Sequence, residues 1–217
     1  MAKRKRKLKL ERFDGREFMP YARSIGQAVM AWNDLHTRLA FLFETVIGRP
    51  IHNVAYAIWH SSTSDRACRE MLKAVLYEVG LRWPQGYPEA TDDIKWILDR
   101  AQSLEDTRND IIHSPLMMIG HKKTAGGLAS LAAPFHKPAI IPQSFLGHKR
   151  ALKLEDKPDL LSEIQWCRDA ALMLRDFTAE VQRALRDTER NPTWPQRPAL
   201  PPRRLKSAPR PRQTRKG

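Results

Sequence analysis

The amino-acid sequence predicts an all-α fold, an antiparallel helical bundle of four to five helices. Three observations predict it. Apolar residues recur every three or four positions along three long segments, which is the period of an α-helix with one buried face. Gly, Pro and capping residues stand at the ends of these segments. Strand signals are few, and a chain of 217 residues is long enough to bury one core.

The first helix is predicted from about residue 21 to residue 47. Its apolar positions are spaced alternately by four and three residues, which places them on one face. They are Ile25, Val29, Trp32, His36, Leu39, Phe43 and Val46. The sequence "GRP" at 48–50 ends this helix, because Gly favours the C-terminal turn and Pro cannot continue it.

Three further helices are predicted between residues 51 and 113. The short apolar segment 51–60 forms the first of them. The second begins after the Ser, Thr and Asp residues of 61–65 and ends at Gly80. The third is capped by Thr91 and ends at His113. Two aspartates in its first turn suit the positive end of the helix dipole.

The segment of about 115–150 interrupts the helical pattern with repeated Gly and Pro residues. It is predicted to form a loop or a small hairpin around "KKTAGG". A last helix is predicted from about Pro158 to Thr188, with Thr178 as a polar position in its apolar seam. The other seam residues are Leu160, Ile164, Cys167, Ala171, Leu174, Val181 and Leu185.

Positive charge is concentrated at the two ends of the chain. Residues 1–12 carry seven Lys or Arg and one Glu, and residues 190–217 carry nine Lys or Arg and no acid. The stretch 13–189 is nearly neutral, with 22 basic and 23 acidic residues. We therefore predict a helical domain between two disordered basic tails, the second rich in Pro. Such tails fit either a tether for RNA or DNA or a solubilising or targeting segment.

The sequence predicts a cytoplasmic protein. Its apolar runs are shorter than the roughly 20 residues of a membrane-spanning helix, and the basic N-terminus lacks the apolar region of a secretory signal. Cys68 and Cys167 are far apart, and no His, Cys or acidic residues have metal-ligand spacing. We expect no membrane contact, no metal and no cofactor.

The helix ending at His113 carries charged residues on its apolar side. At 100° per residue, Arg108 lies near the middle of the sector defined by its Ile, Leu and Ala residues, and Glu105 lies inside it. Asn109 and His113 lie one turn apart on the flank of this sector. Either Glu105 and Arg108 form an ion pair at a helix interface, or a cation and a titratable base are held where a phosphate can enter.

The sequence "RNDIIH" at 108–113 resembles the Arg-polar-(three residues)-His motif of HEPN domains, which are helical bundles of toxins, phage-defence systems and RNA-processing factors. The resemblance covers roughly residues 18–188. It implies a metal-independent endoribonuclease in which the motif helices of a homodimer face each other across one cleft. RNA would be held by this cleft and by the tails, and an antitoxin protein is an implied partner.

The resemblance also implies roles for single residues. His113 would act as general base on the ribose 2′-OH or as acid at the leaving 5′-oxygen, and Arg108 would stabilise the phosphorane charge. Asn109 would orient His113 or the phosphate. His36 is either a core or interface histidine or a residue that supports the His113 site. The alternative function is a non-catalytic or structural helical dimer that binds nucleic acid through its tails.

Overall fold

The computed structural model describes residues 19–48, 53–79, 87–114, 116–119, 139–142, 149–150, 159–187 and 193–203. These residues contain five helices and two strands. In chain order they are α1 (Met19–Ile47), α2 (Val54–Ser61), α3 (Asp65–Val79), α4 (Ala90–His113), β1 (Leu116–Ile119), β2 (Ala139–Pro142) and α5 (Leu160–Arg186). The all-α prediction is confirmed, and the helix boundaries agree with the prediction to within about two residues at most ends.

Helices α1 and α5 form the centre of the bundle, α4 packs along α5, and α2 and α3 pack on α1. The apolar seams of the sequence are the faces that meet. The buried core draws on all five helices, with Leu35, Leu39, Trp59, Leu72, Ile94, Leu98 and Phe177 among the largest fully buried side chains. At α1's end Gly48 adopts a φ of 83°, the left-handed conformation that favours glycine.

Helices α1 and α5 run in the same direction. Near their N-termini, Arg168 Nη1 donates to Gln27 Oε1 at 3.0 Å. Near their C-termini, Gln182 Nε2 donates to the Phe41 carbonyl at 3.2 Å. Both pairs are separated by 141 residues, so the two helices advance together along their contact.

Helix α4 runs antiparallel to this central pair. The ring of Trp96, early in α4, lies 5.7 Å from that of Phe177, late in α5. Ile111, at the other end of α4, packs in a small buried cluster with Leu160 and Ile164 from the start of α5. The predicted antiparallel arrangement therefore holds for α4, while the α1–α5 pair is parallel.

Two helix starts differ in how they are capped. Asp159 caps α5, since its carboxylate accepts from the backbone N–H groups of Leu161 and Ser162 at 3.2 Å each. Helix α4 begins at Ala90, with Glu89 in the N-cap position and making no side-chain cap bond. Thr91, predicted as the cap, instead lies inside the first turn.

The inserted segment forms a two-stranded antiparallel hairpin, one of the two predicted alternatives. Strand β1 pairs with β2 from Leu116 opposite Pro142 to Ile119 opposite Ala139. The partner of β1 therefore lies well beyond "KKTAGG", which falls in the undescribed residues between the strands. Among the described residues, no helix is both long and apolar enough to cross a membrane.

Residues 193–203, which we call the C-terminal strap, are extended and pack against α4 and α5. Trp194 packs partly buried on the core, and its indole Nε1 donates to Asp93 Oδ2 at 2.6 Å. Trp166 Nε1 donates to the Pro201 carbonyl at 2.7 Å. The predicted disorder of residues 190–217 thus does not extend to the strap, because its indole and arginine groups meet carboxylates on the helices. Residues 1–12 and 204–217 lie outside the described residues.

Candidate functional site

Arg108 lies where α4 meets α1 and α5. Its side chain is half-buried, and its guanidinium carbon is 5.9 Å from the centre of the Trp32 ring on α1. Nη1 donates to Asn109 Oδ1 at 3.0 Å, whereas the buried Nε has no hydrogen-bond acceptor among the described residues. The inward position that the helical period predicts is therefore correct, and the guanidinium keeps unused donor capacity.

The contacts of Asn109 and His113 differ from those that the HEPN resemblance implies, in which Asn109 orients His113 or the phosphate. Asn109 accepts from Arg108 and so orients that guanidinium rather than the imidazole. His113 is exposed in the last turn of α4 and makes no hydrogen bond or ion pair with the described residues. The motif therefore presents one restrained cation and one accessible imidazole at the same end of the helix.

Glu105 does not pair with Arg108. Its Oε2 accepts from Nη2 of Arg69 on α3, and the same Nη2 donates to Gln102 Oε1 at 2.8 Å. Arg69 is only 1% exposed, so its charge needs a carboxylate far more than the half-buried Arg108 does. The ion-pair interpretation of Glu105 and Arg108 is thus replaced by an interhelical pair with Arg69.

Arg69 is the functional candidate that sequence reasoning missed, although the sequence contains a signal for it. The apolar side of α3 includes Cys68, Leu72 and Leu76, all buried. Arg69 lies three and seven residues before these leucines, which puts it on the same side of the helix. The test that singled out Arg108 on α4 would have found Arg69 on α3.

His36 lies in a polar contact chain that leads to Arg108. Trp32 Nε1 donates to Asp65 Oδ2 at 2.9 Å, and His36 Nε2 lies 3.3 Å from Asp65 Oδ1. The contact between His36 Nε2 and Asp65 Oδ1 is within ion-pair distance, but its geometry is not that of a hydrogen bond. Because Arg108 faces the Trp32 ring, Asp65 and Trp32 connect the imidazole with the guanidinium. His36 is partly buried beside Asp65, and these contacts lead to Arg108 and not to His113.

Burial lowers the pKa of His36 from its ordinary value of 6.5. The nearby carboxylates of Asp65 and Glu105 oppose this effect. His60 and Arg69 act in the same direction as burial, because a second positive charge is unfavourable there. The structure therefore holds His36 in the neutral form near pH 7.

The lowered pKa of His36 predicts a pH-dependent stability. The unfolded chain binds a proton at this position more readily than the folded chain does, so folding opposes protonation below pH 6.5. We expect the free energy of unfolding to rise between pH 5 and pH 7, and to rise less in His36→Gln. Urea unfolding of both proteins at several pH values measures the difference, in which the other histidines cancel. Parallel curves would contradict the assignment.

Neither a nucleophilic cysteine nor a metal site emerges from the described residues. Burial raises the pKa of Cys167 to about 12, so its thiol stays protonated at neutral pH. Within the described ranges, no three His, Cys, Asp or Glu residues are grouped to hold a metal ion. The chemistry available at this end of α4 is therefore that of Arg108, Asn109 and His113.

No protein-family model, curated protein or solved structure matches the chain. The functional argument consequently depends on the residues themselves and on the resemblance of the 108–113 motif to HEPN domains.

Proposed function

We propose that the chain is a metal-independent endoribonuclease of HEPN type, which cleaves RNA by attack of the ribose 2′-OH in a composite site of a homodimer. The observation that carries the proposal is the state of Arg108. Its guanidinium is held by Asn109 and by the Trp32 ring, while Glu105, the acid one turn earlier on its own helix, pairs with Arg69. An arginine fixed in this way, whose Nη2 makes no hydrogen bond with the described residues, is suited to a phosphate.

The two motif residues divide the chemistry. His113, exposed at the end of α4, takes the proton of the 2′-OH or gives one to the leaving 5′-oxygen. Arg108 stabilises the negative charge that develops on the phosphorus centre, and Asn109 holds Arg108 in place. The products would be a 2′,3′-cyclic phosphate and a 5′-hydroxyl. A second copy of the chain would supply the second Arg108 and His113 across the cleft. We further propose that the nuclease acts as a toxin or in phage defence and is regulated by an antitoxin.

Arg108→Ala and His113→Ala are each expected to abolish RNA cleavage without unfolding the bundle. Loss of a positioned acid–base group costs about 10²–10⁴-fold in rate, and loss of an electrostatic donor costs about 10²–10³-fold. The measurement is cleavage of end-labelled tRNA and mRNA in EDTA, with analysis of the product ends.

Matched controls for this experiment are available in the described residues. Arg100→Ala removes an arginine two turns earlier on α4, and His60→Ala removes an exposed histidine from the last turn of α2. Both controls should cleave as the wild type does. Cleavage that survives in Arg108→Ala or His113→Ala, or that needs a divalent metal, would refute the site.

A second candidate function is non-catalytic binding of nucleic acid by the tails. The observation that favours it is the segregation of charge, with nine cations and no acid in 190–217. It predicts binding that weakens steeply with salt and that is indifferent to Arg108→Ala and His113→Ala. Folded wild-type protein that binds RNA without cutting it would favour this function over the nuclease.

A further inference from the structure

A groove of about 610 Å³ lies between the first halves of the parallel helices α1 and α5. On each helix the groove residues are turned by one position, about 100°, from those that pack with Ile111 of α4. The groove therefore opens on a different side of the α1–α5 pair from the Arg108 motif. Its walls include Arg23, Ser24 and Gln27 from α1 and Leu161, Gln165 and Arg168 from α5.

The groove carries a positive charge that no described acid balances. Arg168 is balanced, because its Nε and Nη2 contact Asp169 Oδ1 at 2.8 and 2.7 Å. Arg23 is exposed and makes no ion pair or hydrogen bond with the described residues. None of the described residues that line the groove is acidic. An anion in the groove would therefore meet an unpaired guanidinium, which binds phosphate oxygens well.

Ser24 places an unused hydroxyl in the same groove. The residue is only 8% exposed, yet its Oγ makes no hydrogen bond with the described residues. Most buried side-chain polar atoms have a hydrogen-bond partner, so this hydroxyl indicates a ligand. Gln27 adds a second donor group. Its Oε1 accepts from Arg168 Nη1 at 3.0 Å, which leaves the two N–H groups of Nε2 free to donate.

The size and remaining walls of the groove indicate more than an inorganic ion. Its volume falls within the range of about 300–1,000 Å³ that is typical of small-molecule sites. Leu161 and the exposed Met19 supply apolar surface beside the donors. Gln165 is exposed, and its amide makes no hydrogen bond with the described residues. Such an amide can pair with the edge of a base, as Gln does with adenine.

We propose that this groove binds a nucleotide. The phosphate contacts Arg23 and the Ser24 hydroxyl, with Gln27 Nε2 as a further donor. The base lies against Leu161, and its edge pairs with the Gln165 amide. The site goes beyond the proposed nuclease, because binding in this groove needs neither Arg108 nor His113.

Binding is measured by isothermal titration of AMP into the full chain, with ribose 5-phosphate and inorganic phosphate as smaller probes. We expect the affinity to fall in the order AMP, ribose 5-phosphate, phosphate, because each smaller probe lacks a group that the groove contacts. An absence of binding at about 1 mM AMP, or equal affinities for AMP and phosphate, would overturn the proposal.

Variants of the wall residues locate the ligand. Arg23→Gln is expected to weaken AMP binding at least about tenfold and Ser24→Ala about two- to tenfold, through the loss of a charged and a neutral hydrogen bond. Gln165→Leu should weaken AMP binding but leave ribose 5-phosphate binding unchanged. Arg38→Gln removes an exposed arginine further along α1 and should bind AMP as the wild type does. Equal losses in Arg23→Gln and Arg38→Gln would overturn the placement.

A competition experiment distinguishes the two sources of such a nucleotide. A short single-stranded RNA of adenosines is added to the His113→Ala chain, in which the groove is occupied by AMP. Displacement of AMP would identify the ligand as a nucleotide within an RNA chain. Retention of AMP would identify it as a free nucleotide, and both results support a nucleotide site in the groove.

The groove and the nuclease fail in distinguishable ways, because AMP binding is measured without cleavage. Binding of AMP that depends on Arg23, by a wild type that does not cut RNA, would refute the nuclease and support the groove. Cleavage of RNA by a wild type that does not bind AMP would refute the groove and leave the nuclease standing.

Discussion

Removal of residues 193–217 is expected to lower the free energy of unfolding by about 3–5 kcal/mol, whereas removal of residues 204–217 alone should change it little. The longer truncation deletes Trp194 from its packing on the core and removes Arg197, the partner of Asp93. Loss of a packed Trp side chain costs about 3–5 kcal/mol, and loss of the ion pair adds less, because Asp93 becomes accessible to water once the strap is gone. Urea unfolding followed by circular dichroism compares the two truncated chains with the wild type.

A point variant isolates the ion pair within this effect. Arg197→Gln leaves Asp93 without its cation but retains the Trp194 hydrogen bond. We therefore expect this variant to be less stable than the wild type but more stable than the chain that lacks residues 193–217. Arg183→Gln, at an exposed position near the end of α5, removes the same charge with little expected effect. Equal unfolding midpoints for the two truncations would mean that the strap contributes nothing to the fold.

The strap shows where local sequence information ends. Seven prolines and nine cations in 190–217 predict a disordered tail, because Pro restricts the backbone and like charges repel. The described part, 193–203, has no helix but is docked on α4 and α5. Its docking depends instead on carboxylates elsewhere in the chain, Asp93 on α4 and Glu163 on α5, each about 5% exposed. The sequence pattern places Asp93 in a favourable first turn, which hides its second role as the anchor of Trp194.

The helices were predictable because their signal is local. A seam such as that of α1 repeats over about six turns, and the helix ends at Gly48, whose positive φ suits a residue without a side chain. The direction of α1 relative to α5, and the pairing of β1 with a strand 20 residues further on, depend on long-range packing. No periodic pattern in the sequence indicates either the direction of α1 relative to α5 or the pairing of β1 with β2.

In the candidate site too, the sequence predicted the local feature but not the long-range contact. The helical period correctly turned Arg108 inward, but it also suggested Glu105 as its partner, because residues three apart on a helix are neighbours. The nearly fully buried Arg69 competes for the same carboxylate from another helix, and its demand for a counter-charge is greater. Which of two cations pairs with a carboxylate depends on how deeply each cation is buried, and a helical wheel does not show this.

Arg69→Met is expected to destabilise the protein by about 3–5 kcal/mol, because Glu105 and Gln102 lose their cation in a mostly buried site. The double variant Arg69→Met/Glu105→Met removes both charges and replaces them with apolar groups. Such replacements are often neutral or stabilising, so most of the loss should be recovered. Urea unfolding of the wild type, both single variants and the double variant gives the coupling energy of the pair. A coupling energy near zero would contradict the importance of the pair.

The same four proteins test how Glu105 affects Arg108. In Arg69→Met, Glu105 is released three residues from Arg108, where an i,i+3 ion pair can form and occupy the guanidinium. RNA cleavage by the folded fraction should therefore fall in Arg69→Met and return in the double variant, which has no carboxylate to offer. Because a purely structural role of Arg69 would change the folded fraction but not its specific activity, the recovery distinguishes the two roles. Specific activity that stays constant across all four proteins would show that Glu105 has no influence on Arg108.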